Sequence, residues 1–316
     1  MHVHDNYYQC CYNNNLSHII KTDFYDKWDI SFNQSVIVPT KVRSFREELL
    51  YACELMYDNF RKHTPTLNLL FSGGTDSECL LRCFVNLGIP VNPIVIIHHH
   101  VKNSPETLQA LSVCNELRLT PTVVDINLIE LATNGVFHEI GLKYQTPRIG
   151  MHELLHTLEI IREPAILGDE IKLKFRSAPD KIPTDVEDDQ QWYFYIEEDQ
   201  DGVFNRYQHV SGIPMISDSF RYTPACWAAM ILTPEMKDIV FNDRKKASGL
   251  TTKNAMMSRE FGVRYREKTN VFIEGSLHQN SRNKLFTELS SVLFPFSDVY
   301  IEYNKLLSKL GVEYEV

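Results

Sequence analysis

The stretch that most constrains this chain is residues 67–87, LNLLFSGGTDSECLLRCFVNL. Apolar residues Leu67, Leu69, Leu70 and Phe71 run directly into Ser72-Gly73-Gly74-Thr75-Asp76-Ser77. Cys79, Leu80, Cys83, Phe84 and Leu87 then recur at helical spacing, so the pattern predicts a buried strand, a glycine-rich turn and a helix start in succession. Adjacent glycines permit positive φ and close approach of backbone to a ligand. The unpaired N–H groups of a helix start, with the aligned peptide dipoles, then suit an anion. Ser72, Thr75 and Ser77 add hydroxyls, and Asp76 offers a carboxylate that could face a Mg²⁺ ion carried by phosphates.

The turn lacks the lysine of G-x-x-x-x-G-K-[ST] and the glycine spacing of G-x-G-x-x-G, so it is neither a Walker A loop nor a dinucleotide fingerprint. It resembles the SGGxDS signature of the PP-loop, or N-type, ATP pyrophosphatases. That resemblance implies an α/β fold of the adenine-nucleotide alpha hydrolase-like (HUP) type, a parallel sheet with helices on both faces, and a mostly helical C-terminal region. It also implies a loop, Ser72, Gly73, Gly74, Thr75, Asp76 and Ser77, that holds the β,γ-phosphates of ATP during cleavage to AMP and pyrophosphate. Phe71, Ile97 and His98, at the ends of the first two strands, would line the nucleotide pocket. The bland alternative is an ordinary glycine-rich turn between a strand and a helix.

Alternation of apolar runs with helical patterns extends the parallel-sheet reading. Ser44 with Glu47 predicts a capping box opening a helix to about residue 61, with Phe45, Leu49, Cys53, Met56 and Phe60 as its apolar face. Residues 92–97 (NPIVII), 120–126 and 164–167 (PAIL) read as further strands. Between them, Ser104-Pro105 opens a helix to Leu117 with Leu108, Leu111, Cys114 and Leu117 inward, and 127–146 reads as loop. Pro147 suits the first turn of a helix whose stripe is Met151, Leu154, Leu155, Leu158 and Ile161. Ligands bind beyond the carboxyl ends of strands in such sheets. The residue groups 72–77, 98–100, Asp125 and 168–170 all fall at such ends.

Elsewhere the pattern is looser. Residues 24–38 read as a hairpin turning near Asn33-Gln34, and 178–191 as linker. Residues 192–196 and 203–210 read as two antiparallel strands, and 224–232, 234–241, 252–261, 281–293 and 297–310 as helices. The organisation expected is a hairpin and helix over 1–63, an ATP-binding core over 64–180, and a substrate-specificity region over 181–316.

Gly168-Asp169-Glu170 places two carboxylates at a strand end, suited to Mg²⁺ or to orienting a cationic substrate. Alone it reads as a solvated turn. The asparagine synthetase branch of the PP-loop family also carries an acidic pair after a short strand, preceded by a Thr-Pro helix similar to Thr146-Pro147-Arg148. The chain departs from that branch in continuing Ile171-Lys172-Leu173-Lys174 and in having no glutaminase domain. The resemblance covers 67–175 and implies catalytic roles for Asp76, Asp169, Glu170 and Lys172, with Asp76 and Asp169 facing metal. Lys172, Lys174 and Arg148 are the cations nearest this edge in sequence, and Arg244-Lys245-Lys246 reads as a solvated run. His98-His99-His100 alternate sides in an extended chain and lack zinc-ligand spacing, while His152 and His156, at i, i+4, could share a helix face but lack the Glu and third ligand of a zincin.

Of 316 residues, 43% are hydrophobic and 23% charged, the composition of a globular chain with a sizeable core. No stretch approaches the roughly 20 apolar residues that span a bilayer. Seven cysteines without C-x-x-C spacing point to buried thiols in a reducing cytoplasm. The function expected is an AMP-forming ligase using ATP and Mg²⁺ to activate a carboxylate or carbonyl oxygen for attack by ammonia or an amine. Two alternatives stand beside it: adenylation of a nucleobase or tRNA, which the net charge of −9 disfavours, and an ATP-binding regulatory module without turnover. A small-molecule substrate without a membrane partner is expected, and a homo-oligomer is left open.

Overall fold

A computed structural model describes residues 8–12, 28–32, 41–99, 104–168, 173–177, 190–241, 249–264, 284, 287–290 and 298–312. Its centre is a five-stranded, wholly parallel sheet. The strands are β3 (Leu67–Leu70), β4 (Val91–His98), β5 (Thr122–Ile126), β6 (Ala165–Leu167) and β9 (Met215–Ile216), in the order β5-β4-β3-β6-β9. The chain therefore steps outward from β3 to β4 and β5, then returns to the other side of β3 for β6. That reversal puts a topological switch point between β3 and β6, where open α/β sheets bind ligands.

Period-two alternation divides the sheet between two cores. Leu67, Leu69 and Phe71 join Val91, Val95 and Ile166 on one face. There they meet α1 (Phe45–Phe60), α2 (Thr75–Asn86) and α3 (Pro105–Glu116). Leu70, Ile94, Val124 and Ile126 line the other face, under α4 (Leu128–Thr133), α5 (Val136–Tyr144), α6 (Ile149–Ile161) and α7 (Glu198–Ser211). The α/β class with both faces covered is as expected. In the C-terminal part follow α8 (Pro224–Ile231), α9 (Pro234–Phe241), α10 (Gly249–Phe261) and α11 (Tyr303–Lys309), all contributing to the first core.

The predicted capping box at Ser44 is present: its hydroxyl accepts from the Glu47 amide, and the Glu47 carboxylate accepts from the Ser44 amide. Other readings are corrected. Residues 127–146 hold α4 and α5, joined through Gly135 at φ +81°, because the apolar periodicity there was short and interrupted. Pro147 lies before α6, whose cap is Arg148. On α3 the inner face is Thr107, Ala110, Val113 and Cys114, while Leu108 and Leu111 are 52% and 36% exposed. The leucine spacing fits a helical stripe, but the small Ala110 is what packs against Gly73.

Further corrections concern strands. Residues 203–210 belong to helix α7. β8 (Gln190–Glu197) instead lies between β7 (Leu173–Ser177) and β10 (Asp298–Glu302), antiparallel to both. The helix expected over 297–310 is thus strand β10 followed by α11. β2 (Trp28–Phe32) pairs antiparallel with β1 (Tyr8–Tyr12), a partner the hairpin reading did not include. The turn at 33–34 and most of 178–191 and 281–293 fall outside the described residues. Among the described residues, no helix is long and apolar enough to cross a membrane.

Candidate active site

Four buried residues of β3 deliver the chain to the carboxyl edge of the sheet, and Phe71 closes the strand with its amide on the Ile94 carbonyl. Gly73 then takes φ +72°, a left-handed value that a side chain would strain. A Cβ there would also lie 2.9 Å from the Ala110 amide nitrogen, so loop and α3 touch backbone to backbone. The Gln109 side-chain amide donates to the Gly73 carbonyl, fixing this contact. Gly74 is the N-cap of α2 and provides no side-chain cap. The amides of the first turn are thereby left open to an anion.

The loop is braced from within. Ser72 Oγ accepts from the Gly74 amide at 3.2 Å and lies 3.3 Å from Ser77 Oγ, which donates to the Gly74 carbonyl at 3.1 Å. Across the switch point, a Cβ on Gly168 would come within 2.9 Å of the Ser77 nitrogen. The end of β6 presses on the first turn of α2, and glycine alone permits it. Ser219, in a short 3₁₀ turn after β9, donates to the Leu167 carbonyl at 2.7 Å and anchors that end.

The Asp76 carboxylate meets a residue that sequence reasoning missed. Lys253, on α10, places its Nζ 2.7 Å from Asp76 Oδ2 and is 1% exposed. A buried ammonium needs a partner, and the loop aspartate is one. The signal was local and was passed over: Lys253 lies three and four residues before Met256 and Met257, both fully buried, so it shares their inward face. The basic run 244–246 instead falls outside the described residues.

Behind the loop, Glu78 is fully buried and paired with Arg82, which also reaches Glu116 and so ties α2 to α3.

His98, at the end of β4, points to the α6 face, where its Nε2 lies 2.5 Å from Glu153 Oε1. Burial pushes the His98 pKa down, but the bond and charge of Glu153, with the charge of Glu106, outweigh it and the pKa is raised. Glu106 stands in the first turn of α3, the helix whose Gln109 and Ala110 touch Gly73. His98 is thereby tied to the loop's surroundings. His99 is exposed beside Asp125, at 3.4 Å. His152 is a core group: its Nε2 lies 2.6 Å from the Thr146 carbonyl, and burial pushes its pKa down to about 4.

The structure therefore brings together residues 72–77, Gly168, His98 and Asp125 at one edge, with Lys253, Gln109 and Glu153 added. Phe71 packs into the core with its side chain, leaving only main chain for a ligand, and Ile97 packs partly against the same core. Asp169, Glu170 and Lys172 lie outside the described residues. Among the described residues, no group of three or more His, Cys, Asp or Glu is arranged to hold a metal ion.

No protein-family model and no curated protein matches the chain. Solved structures similar to it include a predicted subunit of a tRNA methyltransferase from Methanocaldococcus jannaschii, at 15% identity over 74% of this chain and 94% of that one, TM-score 0.30. An NMN synthetase from Francisella tularensis matches at 15% identity over 73% and 100%, TM-score 0.31. An NH3-dependent NAD synthetase from Campylobacter jejuni matches at 14% identity over 72% and 100%, TM-score 0.30.

Proposed function

We propose that the chain is an AMP-forming enzyme of the PP-loop ATP pyrophosphatase type, which activates a carboxylate or carbonyl oxygen for attack by ammonia or an amine. The observation that carries this reading is the open first turn of α2 at the switch point of the sheet, with Lys253 held against Asp76. Uncapped amides at the start of α2, a hydroxyl-bearing loop and a buried ammonium at Asp76 together suit a polyanion. The amides of α2 would bind the β,γ-phosphates, and Lys253 would steady the charge of departing pyrophosphate. His98, at the end of β4 with its pKa raised by the Glu153 contact, would line the nucleotide pocket.

The donor set also fits Mg²⁺. A single carboxylate, Asp76, with triphosphate oxygens and water is enough for an ion that rarely takes an all-protein cage. When bound, the ion would neutralise phosphate charge. Asp169 and Glu170, which follow Gly168 in the chain, are proposed as the second acidic group and Lys172 as a further cation. None of the steps assigned to the protein needs a nucleophilic side chain.

The test is product analysis of the purified chain with Mg²⁺ and α-labelled ATP, against pools of amino acids, amines and nucleic acids. AMP and pyrophosphate that disappear in Asp76→Ala support the reading, and the productive pool names the substrate class. ADP as product would overturn it. Tight ATP binding without turnover in every pool would favour a regulatory module.

A further inference from the structure

The end of α2 away from the loop helps to enclose a cavity of about 240 Å³. Its walls come from four helices: Arg46 and Leu50 of α1, Arg82 and Asn86 of α2, Leu117 closing α3, and Phe261 closing α10. Leu50, Leu117 and Phe261 are only partly buried against the core, so the cavity has an apolar side.

Ion pairing around the cavity leaves one cation over. Arg82 is committed twice, to Glu78 at 2.8 Å and to Glu116 at 2.9 Å. The Arg46 guanidinium lies over the Phe261 ring, 5.5 Å from its centroid, and donates to the Glu260 carbonyl, an uncharged acceptor. The neighbouring carboxylates are taken: Glu47 accepts from Ser44, Glu48 pairs with Arg43, and Glu260 pairs with Arg259. Among the described residues, Arg46 therefore has no carboxylate partner.

We propose that this cavity binds a small organic acid, a carboxylate on a compact apolar body. Arg46 holds the carboxylate, and Phe261, Leu50 and Leu117 hold the body. A guanidinium presents a planar fork that matches a carboxylate, and packing over an aromatic ring fixes its plane. One uncommitted charge suits a monoanion. A phosphate or nucleotide would bring more negative charge to a pocket whose other guanidinium is already neutralised by two carboxylates. The volume agrees, lying below the roughly 300–1,000 Å³ of sites for drug-sized ligands. The site is separate from the phosphate loop but joins the same two helices. α2 and α10 meet at Asp76 and Lys253 near the loop, and again at this cavity.

The probe is benzoate, titrated onto the full chain at constant ionic strength without nucleotide and followed by ligand-observed NMR. The expected result is saturable binding with Kd at or below about 1 mM, ordinary for a ligand of about nine non-hydrogen atoms. The thermal midpoint should rise with benzoate concentration. Arg46→Gln, a change at an exposed residue, should weaken binding about tenfold or more, the worth of a hydrogen bond to a charged group. The midpoint of that variant without benzoate should stay near wild type. Leu117→Glu, which sets a carboxylate in the cavity wall, should weaken binding as well. No saturation by about 10 mM, equal binding in Arg46→Gln, or displacement of benzoate by inorganic phosphate or ATP would overturn the proposal.

Discussion

Replacing Lys253 by methionine keeps the buried methylene packing and removes only the ammonium. Its partner Asp76 is then left without the charge 2.7 Å away. Breaking a buried pair by deleting one member costs about 3–5 kcal/mol. The Asp76 side chain retains 15% exposure, so water can partly rehydrate it and the lower end applies. A cost of about 3 kcal/mol at roughly 2 °C per kcal/mol, the small-shift end expected of a long chain, lowers Tm by about 6 °C. Turnover should fall further, by about 10²–10³, the usual effect of losing one preorganised group at a developing negative charge.

The double variant Asp76→Asn, Lys253→Met separates the two effects. Removing both charges should recover most of the stability, because the cost lay in taking the ammonium away from a largely buried carboxylate. Turnover should remain lost. Thermal unfolding by circular dichroism and a pyrophosphate-release assay read the two outcomes independently. Wild-type turnover in Lys253→Met, or a stability loss that the second substitution does not relieve, would refute the argument.

Two other perturbations address the geometry around the loop. Gly168→Ala forces a methyl to within 2.9 Å of the Ser77 nitrogen, so β6 and α2 must part; ATP affinity measured by calorimetry should fall about tenfold or more, with about 1–3 kcal/mol of overpacking cost in denaturant melts. The raised pKa of His98 makes its pair with Glu153 stabilising below the unfolded histidine value, and that contribution is lost as pH rises through the folded value. Glu153→Gln should therefore cost stability below the unfolded histidine value and little once pH has risen through the folded one, read from thermal melts across a pH series; an equal loss at every pH would show that the pair does not titrate as argued.

Much of the site was legible in the chain because its determinants are local. A buried strand, two glycines and a helix start follow one another within residues 67–87, and hydrogen-bond geometry over so short a span leaves few alternatives. The same holds for the Ser44 cap and for the parallel strands up to β6. The inner face of α3 was misread because leucine spacing identifies a stripe but cannot say that Gly73 demands alanine opposite it. Strand β9, two residues long, has too little pattern of its own to be seen, and exists because β6 offers it an edge. β10 likewise carries a helix-like spacing that pairing with β8 overrides.

Sequence by itself thus determined the phosphate-type loop, its strand and its helix, since local spacing fixes local backbone. Tertiary structure alone decided what the loop faces. Lys253 reaches Asp76 from 177 residues away, and Glu153 reaches His98 from another crossover, because packing α10 and α6 onto the sheet brings buried charges to the partners they require.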